Sequence, residues 1–263
     1  GAETALRVPA DGQGRIDPAA LARTLGGLDG PTIVCAQAGN VATGAFDPFP
    51  AIADACAEQG AWLHVDGAFG LWAAVAPSTR ELVAGVERAD SWAVDAHKWL
   101  NVPYDSAMAI VADPDAHTGA MSLAASYLVV DPGKRDSTNF VPESSRRARA
   151  VPIYAALRSL GRAGVAELVE RNCAHARRMA ERLAAIPGAE ILNDVVLNQV
   201  LVRLPGGDEG NRAAVAAVQR DGTCWLGGTE WDGRAAMRVS FSNWATSTDD
   251  VDRSAAAIAA AVP

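Results

Sequence analysis

Two strand ends in the stretch from Ala61 to Tyr104 carry the residues of this chain best suited to covalent chemistry. One apolar run ends in His64-Val65-Asp66, and a second ends in Asp95-Ala96-His97-Lys98-Trp99. A lysine between a histidine and a tryptophan at the end of a buried strand is poorly placed for a solvated ammonium. Burial there favours the neutral, nucleophilic amine. A carboxylate at the end of a neighbouring strand could face the same cavity. Together the two fit a pyridoxal phosphate (PLP) site, with Lys98 forming a Schiff base and Asp66 holding the proton on the pyridinium nitrogen, so that the ring can act as an electron sink. The competing reading is a solvated loop lysine and a strand-end acid that caps a helix. Strand-end acids occur at α/β sites of many kinds, and spacing alone does not choose between the two.

Other chemistries have less support. His97 could donate a proton beside the Schiff base or be a satisfied histidine in a buried loop. His64 precedes Asp66 by two residues, so in a strand both side chains point the same way. A metal shared by His64, Asp66 and His97 is not expected: no H-x-x-x-H spacing occurs for zinc, and magnesium would need more carboxylates. The G-x-S-x-G nucleophile elbow and the dinucleotide glycine fingerprint are both absent. Near the C-terminal end, Arg234 and Arg238 border AAMRVSFS. Either could bind a substrate carboxylate through two parallel hydrogen bonds, or serve equally well as a surface or interface ion pair.

The elements that must position these residues read as a β-α-β-α-β series. Short apolar runs at Thr32–Gln37, Ala61–Val65 and Ser91–Val94 are expected as buried parallel strands. Helices are expected from Asp17-Pro18 to Gly26, from Asp47-Pro48 to Gln59, and over Ser78–Arg88; the first two open on an acid followed by proline. A strand at Ser106–Val111 should run antiparallel, because the short connection from Lys98 leaves no room for a crossover. Ala2–Val8 could be a further strand. Residues 113–145 look like a long connecting region, and Arg146–Ala185 like a helix broken near Gly161 and Gly164. A small unit follows, with strands Glu190–Asn193, Gln199–Leu204, Thr223–Leu226 and Ala236–Phe241 and helices Glu209–Asp221 and Thr248–Ala261. The division expected is 1–150 and 151–263.

With 263 residues and 49% hydrophobic content, the chain can bury a sizeable core. Its net charge of -8 argues against nucleic acid or an anionic membrane as the main partner. The four cysteines are dispersed with no CxxC pair, and neither a membrane span nor a signal segment is evident. A reducing, cytoplasmic setting is the expectation. The chain opens on Gly1 with no recognisable first element, which suggests trimming.

DAHKWLNVPYD, with HVDGAFG upstream, closely resembles the PLP-dependent group II amino-acid decarboxylases of the glutamate and aromatic amino-acid type, within fold type I of the aspartate aminotransferase superfamily. AGNVATGAFDP and GGTEWDGRAAMRVSFSNWAT are also similar to this family. The resemblance implies an α/β fold: part of the large PLP-binding domain, with a mostly parallel sheet and helices on both faces, plus a small C-terminal α+β domain. It implies that Lys98 carries the Schiff base, Asp66 pairs with the ring nitrogen and Ala68 packs on the ring. His97 would lie near the cofactor, Asn40 or Thr43 near its phenolic oxygen, and Ser91 and Asp95 on the phosphate side. An acid at Asp95 sits awkwardly beside a phosphate unless it turns away or orients a donor.

Two departures qualify the implied activity, decarboxylation of an L-amino acid. Family members are considerably longer, and the part missing here holds the histidine that stacks on PLP and much of the phosphate loop. A homodimer, or assembly with a separate N-terminal polypeptide, is therefore expected. The region matching the family's mobile-loop tyrosine, Asp131–Ser145, has Phe140 and no tyrosine. The alternatives are an aminotransferase or other amino-acid transformation, with Arg238 holding the substrate carboxylate, and a non-catalytic subunit or fragment.

Overall fold

The structure, a computed structural model, describes residues 4–122, 133–143 and 145–262. Helix α1 (Pro18–Leu25) starts where the sequence signals it: the Asp17 carboxylate accepts hydrogen bonds from the Ala19 and Ala20 N–H groups, and proline occupies the first turn. Strand β1 (Ile33–Gln37), helix α2 (Phe49–Gln59), strand β2 (Trp62–Asp66), strand β3 (Ser91–Asp95) and strand β4 (Ala107–Val111) follow. They build one sheet in the order β1-β2-β3-β4. The first two pairings are parallel and β3-β4 is antiparallel, as the short connection requires.

Strand alternation divides this sheet into two unlike faces. Val34, Ala36, Leu63, Val65 and Val94 point into the core with α1, α2 and Trp99. Opposite them, Ile33 is 68% exposed, Cys35, Gln37 and Asp66 are exposed, and Trp62, His64, Ser91, Ala93 and Asp95 are half-buried. The register confirms that these residues share a face, with Cys35 beside His64, Gln37 beside Asp66, and Asp66 beside Ala93.

Between β2 and β3 the expected helix over Ser78–Arg88 is replaced by short 3-10 turns at Gly70–Val75, Arg80–Val83 and Val86–Arg88. Gly85 explains the break: its φ is +87°, and a Cβ there would meet Pro50 at 2.8 Å. Residues 4–9 contain no strand; instead Ala10 forms an isolated bridge with Ile16. Helix α3 (Pro114–Met121), capped by Asp113, lies in the stretch expected to be irregular.

Helix α4 (Ala150–Ala184) runs through Gly161, whose φ of 62° and ψ of -179° mark the kink, while Gly164 remains helical. Up to Cys173 it packs on the first core, and from Ala176 on a second. That second core belongs to the antiparallel sheet β5-β6-β8-β7, formed by β5 (Glu190–Ile191), β6 (Gln199–Arg203), β7 (Gly227–Trp231) and β8 (Arg234–Ser240). Helices α5 (Gly207–Asp221) and α6 (Thr248–Ala260) cover it. The strand expected at Thr223–Leu226 forms at β7 instead, where Gly227 and Gly228 pair with Arg238 and Met237. No helix among the described residues is long and apolar enough to cross a membrane.

Candidate active site

Asp66 ends β2 and Asp95 ends β3. Because Asp66 sits beside Ala93, Asp95 lies two residues further along the same exposed face. The Asp66 Oδ1 accepts the Ala68 N–H at 3.0 Å, and its main-chain carbonyl accepts the Ala38 N–H at 2.8 Å. Its side chain is otherwise presented to the open face. In the loop after β3, Lys98 is not the buried amine expected from the sequence: its side chain is 38% exposed, and its Nζ lies 2.8 Å from Asp95 Oδ2. The same nitrogen is 5.9 Å from the centre of the Phe69 ring.

The loop carrying Lys98 is fixed by its main chain. The Asp95 N–H donates to Ala68, and the N–H groups of Ala96 and His97 both donate to the Ser106 carbonyl. The Trp72 indole N–H donates to the Asp95 carbonyl at 3.0 Å. At the far side, the Asn101 side-chain amide donates to the carbonyls of Trp99 and Ser242, which ties the loop to the segment after β8.

His97 has a defined tautomer when neutral. Its Nδ1 faces the Ser106 N–H at 3.1 Å and must accept, so the ring proton sits on Nε2. That nitrogen is 3.5 Å from Asp95 Oδ2. The ring stacks on Tyr104 with centroids 4.1 Å apart. Tyr104 is held in turn through its main chain, whose carbonyl accepts from Arg147 at 2.6 Å. Arg149 grips the adjacent Asp105 carboxylate with two parallel bonds of 3.0 and 3.1 Å. That clamp lowers the Asp105 pKa and raises that of Arg149.

The other residues singled out from sequence divide into near and far. The Asn40 Oδ1 caps the N–H groups of Ala42 and Thr43, and its amide donates to Gln37, the neighbour of Asp66. Thr43 is fully buried; its hydroxyl donates to the Gln13 carbonyl and accepts the Ala45 N–H. Thr43 thus anchors its loop. Arg238 reaches the same loop from β8, donating to the Val41 carbonyl at 2.9 Å. Ser91 begins β3, four residues or about 13 Å before Asp95, so the strand does not bring these two together. The Ser91 hydroxyl accepts the Trp62 indole N–H and is hydrogen-bonded to His64 Nδ1, both at 2.8 Å.

Sequence reasoning missed several supports. Trp62, Trp72, Tyr104 and Ser106 act through ring edges and main-chain groups that carry no sequence motif. Asp47, read as a helix cap, is buried and bonds the N–H groups of Ile16 and Gln37 at 2.7 and 2.6 Å. Burial pushes its carboxyl above the usual range, and the two N–H donors partly offset this.

The site is therefore an amine with a carboxylate against it, a second accessible carboxylate, and an imidazole whose Nδ1 accepts the Ser106 N–H, all at the C-terminal edge of the parallel strands. Beside them, Ala93, Ala107 and Ala109 are small residues on the same face. This donor set fits PLP: Lys98 for its aldehyde, Asp66 for its protonated ring nitrogen.

Comparison with known proteins points to the same cofactor. A family model described as the pyridoxal-dependent decarboxylase conserved domain matches residues 5–205. Phenylacetaldehyde synthase of Arabidopsis thaliana is 28% identical over 225 residues, covering 80% of this chain and 45% of that protein. The acidic amino acid decarboxylase GADL1 of Bos taurus is 33% identical over 201 residues, covering 73% and 39%. The crystal structure of Oryza sativa TDC with PLP and tryptamine superposes with a TM-score of 0.90 at 26% identity, covering 97% of this chain and 56% of that one. The chain thus spans about half the length of these relatives.

Proposed function

The chain belongs to the pyridoxal-dependent decarboxylase family, and on that premise we propose that Lys98 is the cofactor lysine of a PLP-dependent lyase that removes the α-carboxylate of an L-amino acid. The observation that supports this reading is that Asp66 and Asp95 share one face at adjacent strand ends and that Lys98, in the loop that follows, lies against Asp95. PLP, when bound, supplies the electron sink that accepts the bonding pair left by departing carbon dioxide.

The chain's own residues have separable tasks. Asp66 would hold the ring nitrogen of PLP and keep it protonated by placing a negative charge beside it. His97, with its proton on Nε2 and its ring pinned between Tyr104 and the Ser106 N–H, offers a donor of fixed direction. Lys98 holds or moves the proton at its own nitrogen, next to Asp95. Arg238 is engaged with the Val41 carbonyl. A lyase would not clamp the substrate carboxylate with this arginine, since tight binding of the group to be lost would stabilise the ground state.

An exposed face on a parallel sheet calls for a cover, because such sheets are normally packed on both sides. We infer that a polypeptide segment equivalent to the part of the relatives that this chain does not span completes the site, in a dimer or a larger assembly. Its residues would contribute much of the substrate pocket. The relatives are named for aromatic and for acidic amino acids alike, so the substrate side chain is left to experiment. The test is incubation with PLP followed by absorbance and intact mass, with and without the co-purified partner. An adduct lost in Lys98→Ala, and carbon dioxide without keto acid from an amino-acid panel, is the expected result. Keto acid would favour the aminotransferase, and no adduct in any state would end both enzyme readings.

A further inference from the structure

The main chain around Lys98 is held on its entry side, where the Ala96 and His97 N–H groups donate to the Ser106 carbonyl, and Asn101 holds it on the exit side. The Asn101 N–H donates to the Lys98 carbonyl at 3.3 Å, closing a four-residue turn. Its φ is 55°, in the left-handed region that asparagine tolerates better than most side chains. The side-chain amide donates twice, to the Trp99 carbonyl inside the turn at 2.7 Å and to the Ser242 carbonyl at 2.8 Å, which uses both of its hydrogens. Both acceptors are themselves fixed. Trp99 is 1% exposed in the first core. Ser242 follows Phe241, whose N–H donates to the Asn198 carbonyl at 3.0 Å and whose carbonyl accepts the Asn198 side-chain amide at 2.6 Å. Two residues on, the Trp244 carbonyl accepts Arg171 of α4 at 3.0 Å.

We propose that Asn101 is a positioning residue that sets where Lys98 stands by locking its turn to the segment after β8. This rests on the reading of Lys98 as the cofactor lysine and makes the placement of that lysine depend on the small C-terminal unit. An amine attacks a carbonyl carbon productively only from a narrow range of positions, and a displacement of about 1 Å can cost about 100-fold in rate. Without the amide, the turn keeps its main-chain bond, but the Trp99 and Ser242 carbonyls no longer share a donor. The small unit then ceases to fix the turn, and Lys98 samples positions other than the productive one. Asn101 is itself exposed, so its replacement leaves no buried group unpaired, and the penalty falls on the geometry of the lysine with little effect on stability.

Two variants test this. Asn101→Asp keeps the size and the tolerance of positive φ but puts an oxygen that cannot donate before two carbonyls, whereas Asn101→Gly removes the bonds without that repulsion. The full chain, with any co-purified partner, is mixed with PLP and reduced with borohydride at intervals. Peptide mass spectrometry then reads pyridoxyl at Lys98 and Lys134, the only lysines of the chain. Lys98 should be modified about 10- to 100-fold more slowly in Asn101→Asp and about 3- to 10-fold more slowly in Asn101→Gly, with the Lys134 rate and the urea midpoint unchanged. A second readout needs no cofactor: in the PLP-free chain, hydrogen exchange of the peptide holding Lys98–Asn101, corrected for each sequence's unfolded rate, should quicken in both variants while that of β6 does not. Should one variant fail to fold, the other decides. Wild-type rates at Lys98 together with wild-type exchange would overturn the proposal, as would a loss no larger than the drop in folded fraction, which a purely structural role produces. If exchange quickens as expected while Lys98 takes up no PLP even in wild-type protein, the cofactor reading fails and the lock on the turn stands.

Discussion

The two sheets of this chain have four strands each, yet they treat their faces differently. Every residue of β6 is buried: Val200 and Val202 face the core under α4, α5 and α6, while Leu201 packs on Ala42 and Ala236. The β1–β4 sheet buries only one face. On the other, Ile33 is 68% exposed, and β4, five apolar residues long, has none fully buried. The small unit completes its own burial, whereas the sheet that carries the candidate site leaves one face uncovered among the described residues. Because a parallel sheet is ordinarily sandwiched, this contrast motivates the proposal that further polypeptide covers that face.

Mutations can break or sharpen that contrast. In the closed half, Ile258 is completely buried, and Ile258→Ala should cost about 2–5 kcal/mol in urea unfolding. In the other half, the buried Asp47 carboxylate accepts two main-chain N–H bonds. Asp47→Asn turns one acceptor into a donor facing a donor, and should cost about 1–3 kcal/mol. If either change proves neutral, the corresponding core is looser than described.

A pH dependence belongs to the closed half. Burial, reinforced by the charge of Arg171 and opposed by Asp250, lowers the pKa of His175 from its ordinary 6.5. The unfolded chain therefore binds the proton more readily than the native one, so stability is lost as pH falls below about 6.5. Urea midpoints at pH 7.5 and 5.5 should show this loss, and His175→Gln should reduce it. The smallest effect is expected on the open face. Ile33→Ser in the chain alone should change stability by no more than about 0.5 kcal/mol. A cost approaching that of Ile258→Ala would show the face to be covered already.

Much of the candidate site was legible because strand-end residues are marked by what precedes them: an apolar run followed by an acid or by a lysine loop. The same pattern located β1, β2, β3 and the reversed β4. Less visible were features created by packing. Asp47-Pro48 repeats the local signal of Asp17-Pro18, but its carboxylate turns toward β1, and α2 begins at Phe49 without a side-chain cap. The sequence over Ser78–Arg88 contains helix formers, yet the approach of Gly85 to Pro50 breaks it into short turns. Gly227 and Gly228 look like a turn and instead begin β7. Helix α3 has the same acid–proline start as α1, but it buries no residue and so shows no apolar face to read. The pairing of Asp95 with Lys98 depends on side-chain direction, which no spacing records.

The central claim is that Lys98 is the point of covalent PLP attachment on this open face. The most direct measurement is borohydride reduction of the protein incubated with PLP, alone and with any co-purified partner, followed by peptide mapping. With two lysines in the chain, the account predicts a single reduced pyridoxyl adduct at Lys98 that disappears in Lys98→Ala. An adduct confined to Lys134, or none at Lys98 even in the complete assembly, would contradict it.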